Sequence, residues 1–389
     1  MDFLDFFAGI GGFRRGMELA GHKCVGFCEF DKFATASYTS MHLLTEEQRK
    51  YLNTLPLNKR QKEILKEEYR NGEWYANDIR RVYAGDIPKA NCWCFGFPCN
   101  DISVAGKQLG FRGNRSSLFF RVMYLIRQLE EENKPTYLFI ENVKNLLSVN
   151  GGWDFARLLI EMDEGGYDVE WQVLNSKDFG VPQNRERCFI IGHLRGRSSA
   201  EVFPIEGAGG ENRISISGHH VALPCFIDLC YQGSQTTDIA RCLKARYYKG
   251  MANHAGQDSG IAIPVLTPDR AEKRQNGRRF KENGEPMFTL TAQDRHGVGI
   301  GIGNPIEKDS DGIFIKISEE LTVYAVWYEK YQCYIAIRKL TPKECFRLQG
   351  WTDDYFEKAQ FVNSDSQLYK QAGNGVTVSV ISAIGERMK

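Results

Sequence analysis

The sequence lacks the long apolar runs and the terminal signals that direct a chain to a membrane. No run approaches the roughly 18 apolar residues of a membrane span, and the stretch from Met1 to Asp5 lacks the basic start of a signal peptide. A formal net charge of +1 provides no overall attraction to polyanions, so a nucleic acid would have to meet a local basic surface. We therefore expect a soluble, cytoplasmic protein without a membrane partner.

The cysteines lack the patterns of a disulfide framework or a zinc site. There are 11 of them, an odd number scattered through apolar segments, as is typical of reduced thiols in a cytoplasmic chain. The closest pairs, Cys24 with Cys28 and Cys92 with Cys94, have neither paired CxxC nor Cys/His spacing and fall in predicted strands. We expect no bound metal.

The chain has 389 residues, of which 42% are hydrophobic and 25% charged, enough for two domains with a substantial core. Roughly the first half alternates short apolar runs with amphipathic stretches, the pattern of β/α units around a mainly parallel sheet. The charged stretch from Leu43 to Tyr69 predicts one or two solvated helices in an insertion. Strands are predicted at Phe3 to Phe7, Cys24 to Cys28, Trp74 to Ala76, Cys92 to Phe97, Tyr137 to Ile140, Glu170 to Leu174 and Cys188 to Gly192, and helices at Leu118 to Leu129 and Phe155 to Met162.

The composition changes near Arg195, after which Ser, Gly, His and Pro are frequent. This change indicates a second domain of irregular or β structure. Two basic clusters, from Arg241 to Lys249 and from Lys273 to Lys281, are interleaved with aromatic and amide side chains. Such clusters suit phosphate contacts and base-edge recognition, although a solvated loop surface has the same composition. Helices are predicted again after Thr341 and from Val376 to Met388.

One cysteine follows a buried strand at the point where the strand would enter a cleft. The apolar run from Cys92 to Phe97 stops at Pro98-Cys99, and proline constrains the backbone of this bend. A thiol is the side chain most easily made nucleophilic near neutral pH. Cys99 is therefore a candidate nucleophile, and for this pair alone the alternative is a buried, unreactive cysteine.

The first predicted strand leads into a glycine-rich turn, from Ala8 to Phe13, and then into a helix. Glycines let the backbone approach a ligand at a helix N-terminus, as in doubly wound nucleotide-binding sheets. The spacing departs from GxGxxG and is weak evidence by itself. However, the second strand ends at Glu29-Phe30, about where a carboxylate takes ribose hydroxyls in such folds. Together these features indicate a nucleoside-bearing cofactor.

Polar side chains lie at the ends of two further predicted strands. Glu141 and Asn142 follow the strand that begins at Tyr137, at the edge where open α/β sheets bind ligands. Arg185 and Arg187 enter the last strand of the first half, on one face at a period of two. A thiol, a carboxylate and two guanidiniums would form a polar site, although Glu141 with either arginine also suits a structural salt bridge.

Six motifs span essentially the whole chain. They are Asp5 to Phe13, Gly96 to Cys99, Glu141 to Val143, Gln183 to Arg187, Arg338 to Cys345 and Gln371 to Val376. In this order they resemble those of the DNA (cytosine-5)-methyltransferases of the bacterial or phage type. The set is very specific, because no dehydrogenase or general Rossmann protein is expected to combine these motifs.

The resemblance implies two domains. Residues 1–197, completed by 366–389, would form a Rossmann-like, S-adenosylmethionine-dependent methyltransferase domain with a mainly parallel sheet. Residues 198–365 would form a smaller, irregular or β target-recognition domain, including a supporting motif at 338–350. The pair Thr289-Leu290 resembles the Thr-Leu pair of such domains, whereas Gly375 stands where serine is frequent. The residues expected to contact DNA are Arg241, Lys244, Arg246, Lys249, Arg278, Arg279, Thr289 and Leu290.

The resemblance also implies a mechanism. The Cys99 thiolate would attack carbon 6 of cytosine, making an enamine that can take a methyl group at carbon 5. Glu141 would hold N3 and the exocyclic amine, Arg185 and Arg187 would orient the base and this carboxylate, and Asn142 would support the loop. Pro98 shapes the bend before the nucleophile. The target base must leave the duplex to reach these groups, and the segment Asp101 to Arg115 would close over it.

The cofactor residues follow from the same resemblance. Glu29 would take the ribose, and Phe30 would lie against the adenine. For the acid near the adenine amine, Asp78 is preferred to Asp86, because Asp86 is too close to the strand that begins at Cys92. The full expected set for S-adenosylmethionine, and for S-adenosylhomocysteine as product, is Phe7, Gly9, Gly11, Gly12, Glu29, Phe30, Asp78, Ile79, Leu118, Asn374 and Val376.

Double-stranded DNA is the expected partner, with a separately acting restriction endonuclease as a further candidate, and the chain is expected to be a monomer. Methylation of RNA, as in the tRNA-modifying relative of this family, is the first alternative, and the sizeable recognition domain with two basic clusters favours DNA. A catalytically silent binding protein is a second alternative. The presence of Cys99, Glu141, Arg185 and Arg187 argues against it.

Overall fold

The computed structural model describes residues 1–98, 118–198, 201–207 and 340–388 in full, and only the backbone of the strands between 225 and 339. Its centre is a seven-stranded sheet. The strands of the first half are β1 (Asp2–Phe6), β2 (Lys23–Cys28), β3 (Trp74–Ala76), β4 (Cys92–Phe95), β5 (Tyr137–Val143), β6 (Tyr167–Asn175), β7 (Gln183–Asn184) and β8 (Glu186–Leu194). The order across the sheet is β3-β2-β1-β4-β5-β8-β6.

The first five strands of this sheet are parallel, and β8 is antiparallel to both of its neighbours. The predicted α/β fold with a mainly parallel sheet is confirmed. β3 has the predicted bounds, and β1 ends at Phe6 because Phe7 turns to a left-handed φ of 54°. β5 continues three residues past Ile140, since it pairs with β8 as far as Val143.

Helices cover both faces of the sheet. They include α1 (Gly12–Leu19), α2 (Lys32–His42), α5 (Leu118–Arg127), α6 (Trp153–Glu164) and α10 (Val378–Gly385). On one face, Met123 of α5 and Leu158 of α6 belong to the same buried cluster as Trp93 of β4. On the other face, Met17 of α1 and Ile381 of α10 pack on the side of the sheet that carries Phe139 and Phe189. Among the helices of the described ranges, none is long and apolar enough to cross a membrane.

The charged insertion forms two helices, α3 (Glu46–Asn53) and α4 (Leu57–Glu63), followed by a 3-10 turn. Its few apolar side chains, including Leu52 and Ile64, are buried against Ala36 of α2 and against Val362. The guanidinium of Arg60 donates to the carbonyl oxygen of Phe361 at 2.6 Å and lies 4.0 Å from its ring. The insertion therefore packs both on α2 and on the C-terminal part of the chain and connects the two.

The C-terminal segment adds α7 (Pro342–Arg347), α8 (Asp353–Gln360) and α9 (Asp365–Asn374) before α10. α7 begins at a capping box in which Thr341 and Glu344 satisfy each other's backbone N–H groups. Buried side chains of these helices form one cluster with Ile10 and Met41. Residues 340–388 thus pack on the β/α half, whereas the boundaries of the two domains stay a prediction.

Between 225 and 339 the chain forms short strands, consistent with the expected β structure. These are β9 (Cys225–Cys230), β10 (Gly233–Thr237), β11 (Ala240–Arg241), β12 (Asp258–Ala262), β13 (Gly297–Ile302), β14 (Lys308–Asp309), β15 (Gly312–Ser318), β16 (Leu321–Tyr328) and β17 (Cys333–Lys339). They form a three-stranded sheet, β10-β9-β12, and a five-stranded sheet, β13-β17-β16-β15-β14. β11 instead pairs in parallel with β7, so the backbone of this region touches the strand that leads to Arg185.

The contact between α1 and α10 provides a test of the fold. A Cβ atom at Gly16 would lie 2.5 Å from Ile381 Cβ, although alanine normally stabilises a helix interior by about 1 kcal/mol relative to glycine. We predict that Gly16→Ala lowers the free energy of unfolding by about 1–3 kcal/mol, because α10 must move away. Gly85→Ala is the control, since that site is exposed and a Cβ there meets nothing within 4 Å. A higher denaturation midpoint for Gly16→Ala in urea would contradict this packing.

Candidate active site at the carboxyl edge of the central sheet

The turn after β1 adopts backbone angles that suit a close ligand. Phe7 has a left-handed φ of 54°, and Gly11, which precedes α1, has a φ of 85°. A non-glycine residue in this region costs about 1–3 kcal/mol, and such strained residues cluster at active sites and ligand sites. The N-cap residue Gly11 has no side chain to cap α1, and Asp5 Oδ2 accepts from Arg14 N at 3.3 Å, which leaves the N–H groups of Gly12 and Phe13 for a ligand.

Glu29 holds this turn against the end of β2. Its Oε2 accepts a hydrogen bond from Gly9 N at 2.7 Å, and its Oε1 accepts one from Asp31 N at 2.6 Å. Burial raises the pKa of Glu29, and these backbone hydrogen bonds oppose the rise. Each carboxylate oxygen can accept more than one donor, so Glu29 can order the turn and still accept hydroxyl groups of a ligand.

Phe30 follows the carboxyl end of β2, and Asp78 follows the carboxyl end of β3. The Phe30 ring is 73% exposed and presents an aromatic face, whereas Asp78 is buried. Arg80 Nε and Nη2 each donate to the Asp78 carboxylate at 2.8 Å, and the Arg80 guanidinium lies 5.5 Å from the Phe30 ring centre. The hydrogen bonds from Arg80 lower the pKa of Asp78, so this carboxylate is held ionised as an acceptor.

The remaining residues of the predicted cofactor set come from other parts of the chain, and one of them, Val376, contacts the glycine-rich turn. Val376 Cγ2 would lie 2.6 Å from a Cβ atom at Gly12, so glycine is required for this contact. Asn374, at the end of α9, is exposed. Leu118 begins α5, which packs on the turn that contains Ile79. Of the cofactor set predicted from sequence, Glu29 and Val376 thus contact the turn after β1, and Phe30 and Asp78 follow the neighbouring strands β2 and β3.

The candidate catalytic residues lie beside this turn, at the ends of β4 and β5. Glu141 is 9% exposed, and its Oε2 would be 3.2 Å from a Cβ atom at Gly96. Asn142 Nδ2 donates to the carbonyl oxygen of Phe97 at 3.1 Å, and its Oδ1 accepts from Val143 N at 2.9 Å. Asn142 therefore fixes the backbone immediately before Pro98, the last described residue ahead of the candidate nucleophile.

Arg187 forms the ion pair of the site. Its Nε lies 3.0 Å from Glu141 Oε1, and both side chains are more than four-fifths buried. Arg185 lies between β7 and β8 rather than in a strand, so the expected alternation does not apply to it. It is 3% exposed and donates from Nη2 to the carbonyl oxygen of Gly375 at 2.7 Å. The two arginines thus contact two different chain segments.

Several predicted residues lie outside what the structure describes. Cys99 and the segment Asp101 to Arg115 follow the last described residue of this region. Only the backbone of Arg241 is described. The other expected DNA contacts lie in undescribed segments, and they are Lys244, Arg246, Lys249, Arg278, Arg279, Thr289 and Leu290. Their roles stay predictions.

Two residues of the site were not identified from the sequence. Arg80, which binds Asp78, follows it by two residues and could have been found as a nearby cation. His42 donates from Nε2 to the carbonyl oxygen of Ile10 at 3.0 Å, and burial lowers its pKa well below 6.5. A neutral His42 thus holds the glycine-rich turn through the carbonyl group of Ile10. His42 lies about thirty residues from that turn in the sequence, so no local pattern could identify it.

The described part of the chain contains no group of three or more His, Cys, Asp and Glu side chains placed to hold a metal ion. The arrangement instead offers backbone N–H groups, an aromatic face and two carboxylates on one side, and a carboxylate paired with a guanidinium on the other. The first set can bind a nucleoside. The second can hold a polar heterocycle and stabilise a proton transferred to it.

Comparisons with known proteins found a family model and relatives that match nearly the whole chain. A family model described as C-5 cytosine-specific DNA methylase matches residues 1–389. The orphan methyltransferase M.SPRI of Bacillus phage SPR is 27% identical over 478 residues, covering 98% of this chain and 95% of the relative. The type II methyltransferase M.Bsp6I of a Bacillus species is 30% identical over 396 residues, covering 100% and 98%.

A solved structure of the Entamoeba histolytica methyltransferase EhMeth has a similar fold. The TM-score is 0.57 at 16% sequence identity, with 100% of this chain and 97% of the other covered. At this identity the likeness concerns the fold alone.

Proposed function

The chain belongs to the C-5 cytosine-specific DNA methylase family, and we propose that it transfers a methyl group from S-adenosylmethionine to carbon 5 of a cytosine in duplex DNA. One observation carries the proposal. The Glu141–Arg187 ion pair lies beside the backbone of Gly96 and Phe97, directly before Pro98-Cys99. A carboxylate and a guanidinium therefore meet where β4 and β5 end, and in the sequence the thiol of Cys99 follows Phe97 by two residues.

The chemistry requires a nucleophile because carbon 5 of cytosine is itself weakly nucleophilic. In the proposed mechanism the thiolate of Cys99 forms a bond to carbon 6, and the electron pair of the 5,6 double bond moves to carbon 5. Carbon 5 would then take the methyl group, with S-adenosylhomocysteine as the leaving group. Loss of the proton from carbon 5 expels the thiolate, restores the double bond and releases 5-methylcytosine. Cys99 is assigned this role from the sequence, in which it directly follows Pro98.

Glu141 would act on the opposite edge of the base. Its carboxyl group would hold the exocyclic amine and favour protonation at N3 while the thiolate adds at carbon 6, which neutralises the developing charge. Arg187 keeps Glu141 oriented through the ion pair and can donate to the base. Asn142 holds the ends of β4 and β5 together, and Arg185 secures the C-terminal segment through Gly375.

The cofactor site fits S-adenosylmethionine, which supplies the methyl group when bound. The N–H groups of Gly12 and Phe13 at the start of α1 would be the donors for the amino-acid part. Glu29 would accept the ribose hydroxyls, the exposed ring of Phe30 would stack on the adenine, and Asp78 would accept the adenine amine. Because Arg80 already binds Asp78, the amine would have to share or replace its hydrogen bonds.

A cytosine stacked in a duplex cannot reach this edge of the sheet, so the target base must rotate out of the helix. The strands from β9 to β17 and the basic clusters between them would read the neighbouring bases and phosphates. This assignment rests on the predicted target-recognition domain, with the catalytic domain at 1–197 completed by 366–389.

Parallel methyl-transfer assays test the proposed substrate. The purified chain is incubated with labelled cofactor and either genomic DNA that lacks 5-methylcytosine, which contains every short target sequence, or total tRNA. We expect 5-methyldeoxycytidine in digests of the DNA and no 5-methylcytidine in the tRNA, as measured by mass spectrometry. Methylation of tRNA alone would overturn the choice of DNA.

Glu141→Gln tests the role of the carboxylate. Glutamine keeps the shape but cannot stabilise the protonated base, so kcat is expected to fall by about 10²-fold or more, with unchanged affinity for S-adenosylhomocysteine. Glu186→Gln is the matched control, because among the described residues Glu186 pairs with the exposed Lys144 and such a pair is worth about 0–1 kcal/mol. A Glu141→Gln variant with the kcat of this control would exclude Glu141 from the chemistry.

A further inference from the structure

Five buried polar side chains connect segments that are far apart in the sequence. Ser176, Gln183, Arg185, Gln349 and Thr377 are each at most 3% exposed. They come from the β6–β8 region, from the end of α7 and from the start of α10. Buried polar groups are costly unless they are hydrogen-bonded, so the partners of each reveal what the group holds in place.

Gln349 holds both ends of the loop between α9 and α10. Its Nε2 donates to the carbonyl oxygen of Ala372 at 2.7 Å, and its Oε1 accepts from the Thr377 hydroxyl at 2.9 Å. Its own carbonyl oxygen accepts from Val378 N at 3.0 Å. The last carbonyls of a helix lack intrahelical partners, and Gln349 satisfies one of them at Ala372.

Thr377 is the N-cap of α10, yet its hydroxyl makes no capping hydrogen bond to that helix. Threonine at this position usually bonds the N2 or N3 backbone N–H group. Here its single proton goes to Gln349, and its oxygen accepts from the Ser176 hydroxyl at 2.8 Å. The Thr377 side chain thus joins the loop to the β6–β8 region instead of capping α10.

The middle of the same loop is held by Arg185, which donates to the carbonyl oxygen of Gly375. The loop therefore has three anchors, at Ala372, Gly375 and Thr377. Between the last two lies Val376, whose side chain packs on Gly12 so closely that a Cβ at Gly12 would overlap it. A shift of the loop would be transmitted directly to the start of α1.

We propose that Gln349 and Thr377 are positioning residues of the cofactor site. They touch neither cofactor nor base, and they fix the loop 373–376 so that Asn374 and Val376 complete the pocket beside Gly12. This inference rests on the proposed function, because it takes S-adenosylmethionine as the ligand of that pocket. It assigns to Gln349, which lies in the expected supporting motif at 338–350 of the target-recognition domain, a role in cofactor affinity.

Thr377→Val tests the inference by removing the hydroxyl while keeping the shape. Calorimetric titration of the full chain with S-adenosylhomocysteine should show about a tenfold higher Kd, which corresponds to about 1.4 kcal/mol. KM for S-adenosylmethionine should rise in parallel, whereas kcat at saturating cofactor on genomic DNA should stay within about a factor of two of wild type, because excess cofactor restores occupancy. Thr377→Ser keeps the hydroxyl and should restore most of the affinity.

Thr39→Val is the matched control, because Thr39 is 1% exposed and its hydroxyl has no partner among the described residues. It should leave Kd unchanged. Gln349→Met, which removes the amide but keeps the chain length, should raise Kd at least as much as Thr377→Val and serves if that variant does not fold. Wild-type Kd in folded Thr377→Val or Gln349→Met, or an equal rise in Thr39→Val, would overturn the inference. A wild-type chain that binds no S-adenosylhomocysteine would instead overturn the proposed function itself.

Discussion

The antiparallel pairing of β8 with β5 is the constraint on which the site depends. In a wholly parallel sheet the start of one strand lies at the opposite edge from the end of its neighbour. Because β8 runs the other way, its first residues meet the last residues of β5, with Arg187 opposite Val143. This places a guanidinium within 3.0 Å of Glu141, at the same edge as the turns after β1, β2 and β3.

The buried ion pair costs desolvation that its own attraction only partly offsets. Buried pairs of this kind are weak sources of stability, whereas removing one partner leaves an uncompensated charge and costs about 3–5 kcal/mol. Folding stability therefore explains Glu141 and Arg187 poorly, and the proposed chemistry explains them better. The charge of Arg187 keeps a carboxylate in place next to the backbone of Gly96. An apolar pair at this place would avoid the desolvation cost, but it would offer no charged group to a ligand.

The sequence was informative where the signal is local. The apolar runs located all seven strands of the central sheet, β3 with its final bounds, and the motifs named Glu141, Arg187 and the glycine-rich turn. Periodicity does not encode strand direction, so the reversal of β8 could not be predicted from it. Nor could the bracing of α2 by Arg60 of the insertion, or the contacts of Gln349 with Gln183 and Thr377, because the latter join residues 28 to 166 positions apart.

The central claim is that catalysis proceeds through a covalent bond from Cys99 to carbon 6 of cytosine. Duplex DNA containing 5-fluorocytosine in place of cytosine tests it most directly, because fluorine at carbon 5 cannot leave as the proton does and the adduct is trapped. In the presence of S-adenosylmethionine, the wild-type chain should yield a protein–DNA adduct that survives denaturation, and Cys99→Ser should yield none. A folded, cofactor-binding wild-type chain that forms no adduct would contradict the account.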